Sequence, residues 1–441
     1  MTRKIQARTV TSVSLFALFL ALTISASAQT GSSQSNPPKL PQPSGPFGVG
    51  RVAFDWTDPS RAADMAEDRG AHAELMVYIW YPTNASSDEV RGTLLPGAKQ
   101  IDAAPGVSAS IKAQIFGGNW PLAVSGAITS HTQDNAQIAK SPKAFPVIIF
   151  SPLANGTCFQ YSSAIEDLVS HGYVVAAIEH TSEVFAVAFL DGTVHVYSAK
   201  RIPPQFLPSP NATKEEYEDK LEAWYRHCVD VRAADESFVL DKLAELNKAP
   251  DRSSQFSARL DLTRVAAVGH SRGGWSSIIA CRRDKRLKAC VNEDGNAGGQ
   301  GFDYPGAPIP TQPILYVEIP QILGPGTTPD DWIVLKELHL TAEQWIQRWH
   351  ETVTQEFRTF PAGGYFVQLT LPGLEHYSFS DEVVLRAAKE GSQQKEEMAL
   401  RGLRLTEDVT RAFLDEVLKH QKQTTLHDGP EMTVKHFGPG A

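Results

Sequence analysis

The sequence is short of cysteine, of basic excess and of long apolar runs. Its 441 residues include four cysteines, Cys158, Cys228, Cys281 and Cys290. No pair of them has zinc-ligand spacing, which excludes a zinc-built module. Lys and Arg number 41 against 50 Asp and Glu, a net charge of −9. Nucleic acid and anionic membrane surfaces are therefore not expected partners, since both require basic patches. No internal repeat is visible, which sets aside solenoids and propellers. The strongest apolar run, SLFALFLALTI at 14–24, is too short for a comfortable bilayer span, so no stable membrane span is expected.

That run instead has the setting of an export signal. Arg3, Lys4 and Arg8 precede it, and the small residues Ala26, Ser27 and Ala28 follow. Residues 1–28 are expected to be a signal peptide, with the mature chain exported to the periplasm or the exterior. There is no twin-arginine pair and no cysteine after Ala28, so general export without a lipid anchor is expected. In such an oxidising place Cys281 and Cys290, which bracket RRDKRLKA, are plausible disulfide partners. Asn-x-Ser/Thr triplets at Asn84, Asn155 and Asn211 are read as chance matches.

Residues 29–46 are rich in Ser, Pro, Gln and Gly and read as a disordered linker. The folded region is expected over 47–424, with a frayed tail over 425–441. Apolar content of 42% supplies a large core. Strands are expected at 73–81, 144–151, 173–180, 287–294, 313–319 and 365–371, with a hairpin over 184–198 turning at Asp191-Gly192. Helices are expected at 162–172, 213–247, 341–357 and 405–421. Alternation of this kind predicts an α/β fold with a mostly parallel central sheet and helices on both faces. The segments 90–140 and 300–360 break the pattern and are candidate cap insertions.

The chemistry centres on Gly269-His270-Ser271-Arg272-Gly273, which follows the apolar strand VAAV and opens a helix. A serine hydroxyl needs exposure and a base to act as a nucleophile. A sharp strand-to-helix turn provides the exposure, as in the nucleophile elbow of α/β-hydrolases. The base in such folds follows a late strand, and His376 does so in Gly373-Leu374-Glu375-His376. For the acid, Asp294 ends the strand after the nucleophile helix and gives the order Ser271, Asp294, His376. Glu293 is adjacent but should face the other side of its strand, and Asp330 or Asp331, after the next strand, remain rivals. The oxyanion hole needs two backbone N–H groups. Arg272 offers one. The other is expected from 148–156, where Pro152 has none, leaving Leu153 or Ala154.

Four stretches carry a family likeness: WYP (80–82), FSPLANG with SSAIEDLVSHGYVVAAIEH (150–180), VGHSRGG (268–274) and GLEHYSFSD (373–381). In these the sequence resembles the plasma-type platelet-activating-factor acetylhydrolases and their bacterial relatives, over roughly residues 50–415. The resemblance implies release of short or modified acyl groups from a small-molecule or lipid ester by a Ser-Asp-His triad, without calcium or any other cofactor. It places the acid just after the strand following the nucleophile helix, which supports Asp294. Here Leu153 stands where the family usually has glycine, and Ala154 where the second oxyanion donor sits. Polyester hydrolysis, peptide or amide hydrolysis, and a catalytically silent binding protein are the competing expectations. Oligomeric state is not read from the sequence.

Overall fold

The computed structural model describes residues 38–63, 72–84, 91–295, 310–319 and 363–438, apart from 115, 182, 198–201, 210 and 250–253, together with Thr341, Glu343, Gln344 and Gln347. Two long strands come first, β1 (Gly48–Ala62) and β2 (His72–Thr83). Three short helices follow, α1 (Ala98–Ala103), α2 (Ala109–Gln114) and α3 (Trp120–Ser125), then β3 (Thr132–Asp134). Alternation begins with β4 (Phe145–Ser151), α4 (Ser162–Ser170) and β5 (Val174–Glu179). A hairpin of β6 (Ala186–Ala188) and β7 (Val194–Val196) precedes the long α5 (Lys214–Lys248). Next come β8 (Leu260–His270), α6 (Arg272–Arg283), β9 (Leu287–Glu293), β10 (Ile314–Glu318) and β11 (Gly364–Leu369). The chain closes with α7 (Glu382–Glu390), α8 (Gln393–Lys419) and β12 (Met432–Phe437).

Ten strands form one sheet in the order β12-β11-β10-β9-β8-β4-β5-β2-β1-β3. From β5 to β11 every neighbouring pair is parallel. β2 and β12 add antiparallel ribbons at the two sides. The central strands read as unbroken apolar runs because both faces are covered. Along β4, Ile148 and Phe150 enter a core roofed by α4 and α8, through Ile165, Val169, Val409 and Phe413. Val147 and Ile149 enter the opposite core, roofed by α5 and α6 through Val229, Leu243, Ile278 and Ile279. Parallel strands put all their carboxyl ends on one edge, and open α/β sheets bind ligands there. The ends of β4, β8, β9 and β11 lead into Ala154, Ser271, Asp294 and His376.

The structure departs from the sequence reading at both ends of the folded region. Within the expected linker, Leu40 is buried and the Ser44 N–H donates to Asp167 Oδ1 at 2.8 Å. The Gly45 N–H donates to Ser170 Oγ at 2.9 Å. This Pro-rich stretch is anchored by its backbone on α4, an interaction that composition does not encode. Within the expected frayed tail, β12 pairs along β11 from Gly364↔Phe437 to Leu369↔Met432, covering an otherwise open edge. In the candidate insertion, Leu94, Ile101, Phe116 and Trp120 join the first core, and β3 extends the sheet beside β1. The 300–360 insertion, the helix expected at 341–357 and the signal peptide lie largely or wholly outside the described residues.

Candidate active site

Ser271 sits between the last residue of β8 and the first of α6, at φ 57° and ψ −124°. An L-residue holds such angles only where the surroundings over-determine them. The surroundings here are glycines. A Cβ on Gly273 would lie 2.0 Å from Ser151 O, and one on Gly269 would lie 2.3 Å from Gly273 C. Backbones therefore pack where side chains cannot fit, and the tight turn pushes the serine out of the sheet. Its N–H donates to Glu293 O at 2.8 Å, tying the elbow to the end of β9.

Ser271 Oγ lies 3.0 Å from His376 Nε2. His376 Nδ1 lies 2.7 Å from Asp294 Oδ2. The structure thus brings together three side chains separated by up to 105 positions. His376 opens a single tight turn (His376–Phe379) fixed by Glu375, whose N–H donates to Ser378 Oγ at 2.9 Å. Asp294 is fully buried, and its second oxygen accepts from the Ile319 N–H at 3.2 Å. Glu293 faces away, accepting from Thr410 Oγ1 at 2.7 Å on α8. Burial pushes its carboxyl up to about 7. Asp330 and Asp331 lie outside the described residues.

The loop after β4 curls toward the elbow. The Leu153 N–H donates to Tyr161 Oη at 3.2 Å, and Tyr161 Oη is 2.7 Å from His270 Nδ1. Of the two candidates in this loop, Leu153 is thereby engaged within the protein, while the Ala154 N–H has no acceptor among the described residues. Arg272 N–H is at the first turn of α6, where backbone donors have no intrahelical partner and the helix dipole is positive. Asn155 adopts φ 61° and donates from Nδ2 to Glu183 O at 2.8 Å, so its amide serves the loop. Cys281 and Cys290 are joined, and Cys158 and Cys228 are buried thiols.

A family model described as "Platelet-activating factor acetylhydrolase, isoform II" matches residues 31–296. The chain belongs to this family. Among curated acetylhydrolase relatives, a probable 1-alkyl-2-acetylglycerophosphocholine esterase of Arthroderma benhamiae is 28% identical over 277 residues, 60% of each chain. The platelet-activating factor acetylhydrolase of Cavia porcellus is 25% identical over 193 residues, 43% of each. The matched stretch thus spans at most about three fifths of these relatives. The fold is also that of a ferulic acid esterase from Streptomyces cinnamoneus, with a TM-score of 0.62 at 23% identity over 90% of this chain and 99% of that one. It is the α/β-hydrolase fold.

A second Ser-His-Asp set lies beneath the first in this acetylhydrolase-family chain. Ser151 Oγ is 2.7 Å from His180 Nε2, and His180 Nδ1 is 2.8 Å from Asp235 Oδ2. Burial separates it from the Ser271 set. Ser151, His180 and Asp235 are 0%, 1% and 2% exposed, so no substrate reaches that serine. Beside it, Glu183 takes ion pairs from both Arg232 and Arg272. Burial alone would raise Glu183, but the two guanidiniums outweigh it and hold the carboxyl well below its usual range. Burial pushes Glu236, which accepts from Ser276 Oγ at 2.7 Å, up to about 8.

The sequence reading missed this layer. Arg232, Asp235 and Glu236 lie on one face of α5 at i, i+3, i+4 spacing, where an apolar stripe would be usual. His180, at the end of an apolar strand, was the accompanying signal.

Proposed function

We propose that the chain is a carboxylic ester hydrolase working through Ser271, His376 and Asp294. The observation that carries this is the Ser271–His376–Asp294 chain of contacts at 3.0 and 2.7 Å, built on a strained elbow in an acetylhydrolase-family chain. His376 Nε2 takes the hydroxyl proton as Ser271 Oγ attacks the ester carbonyl carbon. The carbonyl oxygen becomes an oxyanion held by the N–H groups of Ala154 and Arg272. Asp294 keeps the proton of His376 on Nδ1 and stabilises the imidazolium. The imidazolium then protonates the leaving alkoxide, and the alcohol departs. Water, deprotonated by the same nitrogen, cleaves the acyl-enzyme and releases the acid.

The substrate class is short-chain or lipid-type esters, the second suggested by relatives named for an acetylated glycerophosphocholine. Residues 1–28 serve export, so the reaction takes place in the periplasm or outside the cell. Hydrolysis of p-nitrophenyl esters from acetate to palmitate, alongside a 1-alkyl-2-acetylglycerophosphocholine, tests the reading. The expected result is a maximum at short acyl chains and turnover of the phospholipid. A maximum at long chains would reject the short-acyl assignment, and no turnover of any ester would reject the activity.

A further inference from the structure

The loop that carries the proposed oxyanion donor is gripped from behind by a buried guanidinium. Arg232, on α5, is 1% exposed. Its Nη1 donates to Pro152 O at 2.6 Å and its Nη2 to Leu153 O at 3.2 Å. These are successive carbonyls, and the second belongs to the peptide unit whose N–H is that of Ala154. In a trans peptide the C=O and the following N–H point in opposite directions. Fixing Leu153 O toward Arg232 therefore aims the Ala154 N–H the other way. A cation on the carbonyl also polarises the peptide and strengthens its N–H as a donor. Glu183 holds Arg232 Nε and, with its other oxygen, Arg272. Arg272 is the residue that supplies the second proposed donor. One carboxylate thus links the two halves of the oxyanion hole.

We propose that Arg232, with Glu183 as the shared counter-ion, is a positioning residue that sets the aim and donor strength of the Ala154 N–H toward the transition-state oxyanion. The inference rests on the esterase reading above. It predicts a loss confined to the transition state, because the ground-state carbonyl asks less of these donors.

The test compares wild type, Arg232→Lys, Arg232→Met and Glu183→Gln on p-nitrophenyl acetate, with folding checked by thermal melting. Affinity for an alkyl trifluoromethyl ketone, which forms a tetrahedral adduct, is measured alongside. Arg232→Met is expected to lose about 100-fold in kcat, the scale of a misplaced catalytic group. KM should move less than about threefold, and ketone affinity should fall in step with kcat. Lysine keeps the charge and one donor and should recover about tenfold of the loss. If Arg232→Met does not fold, Glu183→Gln carries the test, with an expected loss of about tenfold in kcat on an intact fold. Unchanged kcat in a folded variant, or a loss appearing as a rise in KM with ketone affinity untouched, would overturn the proposal. Fluorophosphonate labelling of wild-type Ser271 keeps the two ideas apart. A label in wild type with full activity in Arg232→Met rejects only the role of Arg232, whereas no label in wild type rejects the esterase reading itself.

Discussion

Gly273 approaches Ser151 O so closely that a methyl group there would sit 2.0 Å from it. Gly273→Ala should therefore push the elbow off the loop after β4 and abolish ester turnover. Circular dichroism and activity together check this, and an active, folded alanine variant would refute the packing argument. Asp294→Asn should keep the fold, since the amide is isosteric, but lose the tautomer control on His376. The expected fall in kcat is about 10³–10⁴-fold. The elbow was legible in the sequence because Gly269, Ser271 and Gly273 are local and their context is a strand before and a helix after. Asp294 was separable from Glu293 by strand alternation alone. Ala154 was not separable from Leu153, because the Leu153 N–H is engaged by Tyr161 Oη, placed by a turn that folds back on the loop. Arg232 was missed as well, although its spacing with Asp235 and Glu236 was a signal. Its segment, HCVDVRAADESF, reads as an ordinary polar helix face until the sheet packs against it.

At the scale of elements, the alternating strands and helices from β4 to β11 were read close to their observed bounds, the helix expected at 341–357 lying outside the described residues. Continuous apolar runs and Gly or Ser punctuation mark strands covered on both faces. The ends of the folded region were not read, because each is held by partners distant in sequence. β12 is the sharper case: Met432 and Val434 alternate with polar residues in a six-residue strand, and its pairing with β11 supplies the missing stabilisation. Truncation after residue 424 should expose the β11 edge. It should cost about 2–4 kcal/mol from lost ladder bonds and the burial of Met432, read as a lower urea midpoint. A midpoint equal to that of the full chain would show the strand to be dispensable. The Cys281–Cys290 link closes a short loop between α6 and β9. Chain-entropy arguments give it about 2–3 kcal/mol, so the double serine variant should melt earlier yet keep the proposed esterase activity, as Cys281 is in the last turn of α6 and Ser271 precedes its first.

The molecule as a whole carries an unusual load of buried carboxyls. Burial pushes Glu166, Glu293, Asp381 and Glu382 up to about 7 and Glu236 and Glu407 up to about 8. Each binds its proton more tightly in the folded chain than the usual carboxyl does in the unfolded one. Their contribution to stability is therefore full at acid pH, below about 4, and is lost as pH rises through 7 to 8. Glu183 has the opposite sign, and its contribution is lost as pH falls below the ordinary carboxylate range. The melting temperature should be highest near pH 5 and decline toward pH 8. A melting temperature that rises steadily from pH 5 to 8 would show that these carboxyls are solvated in solution.

The buried layer around Glu183 and Arg232 holds a second serine, Ser151, in a Ser-His-Asp set of equally good geometry, and a serine-directed probe tells the two serines apart. Intact-mass and peptide mass spectrometry after treatment with a fluorophosphonate should find one adduct per chain, on Ser271, with ester hydrolysis lost in proportion. Ser271→Ala should take up none. An adduct on Ser151, or full hydrolysis surviving in Ser271→Ala, would contradict the assignment of Ser271 as the attacking residue.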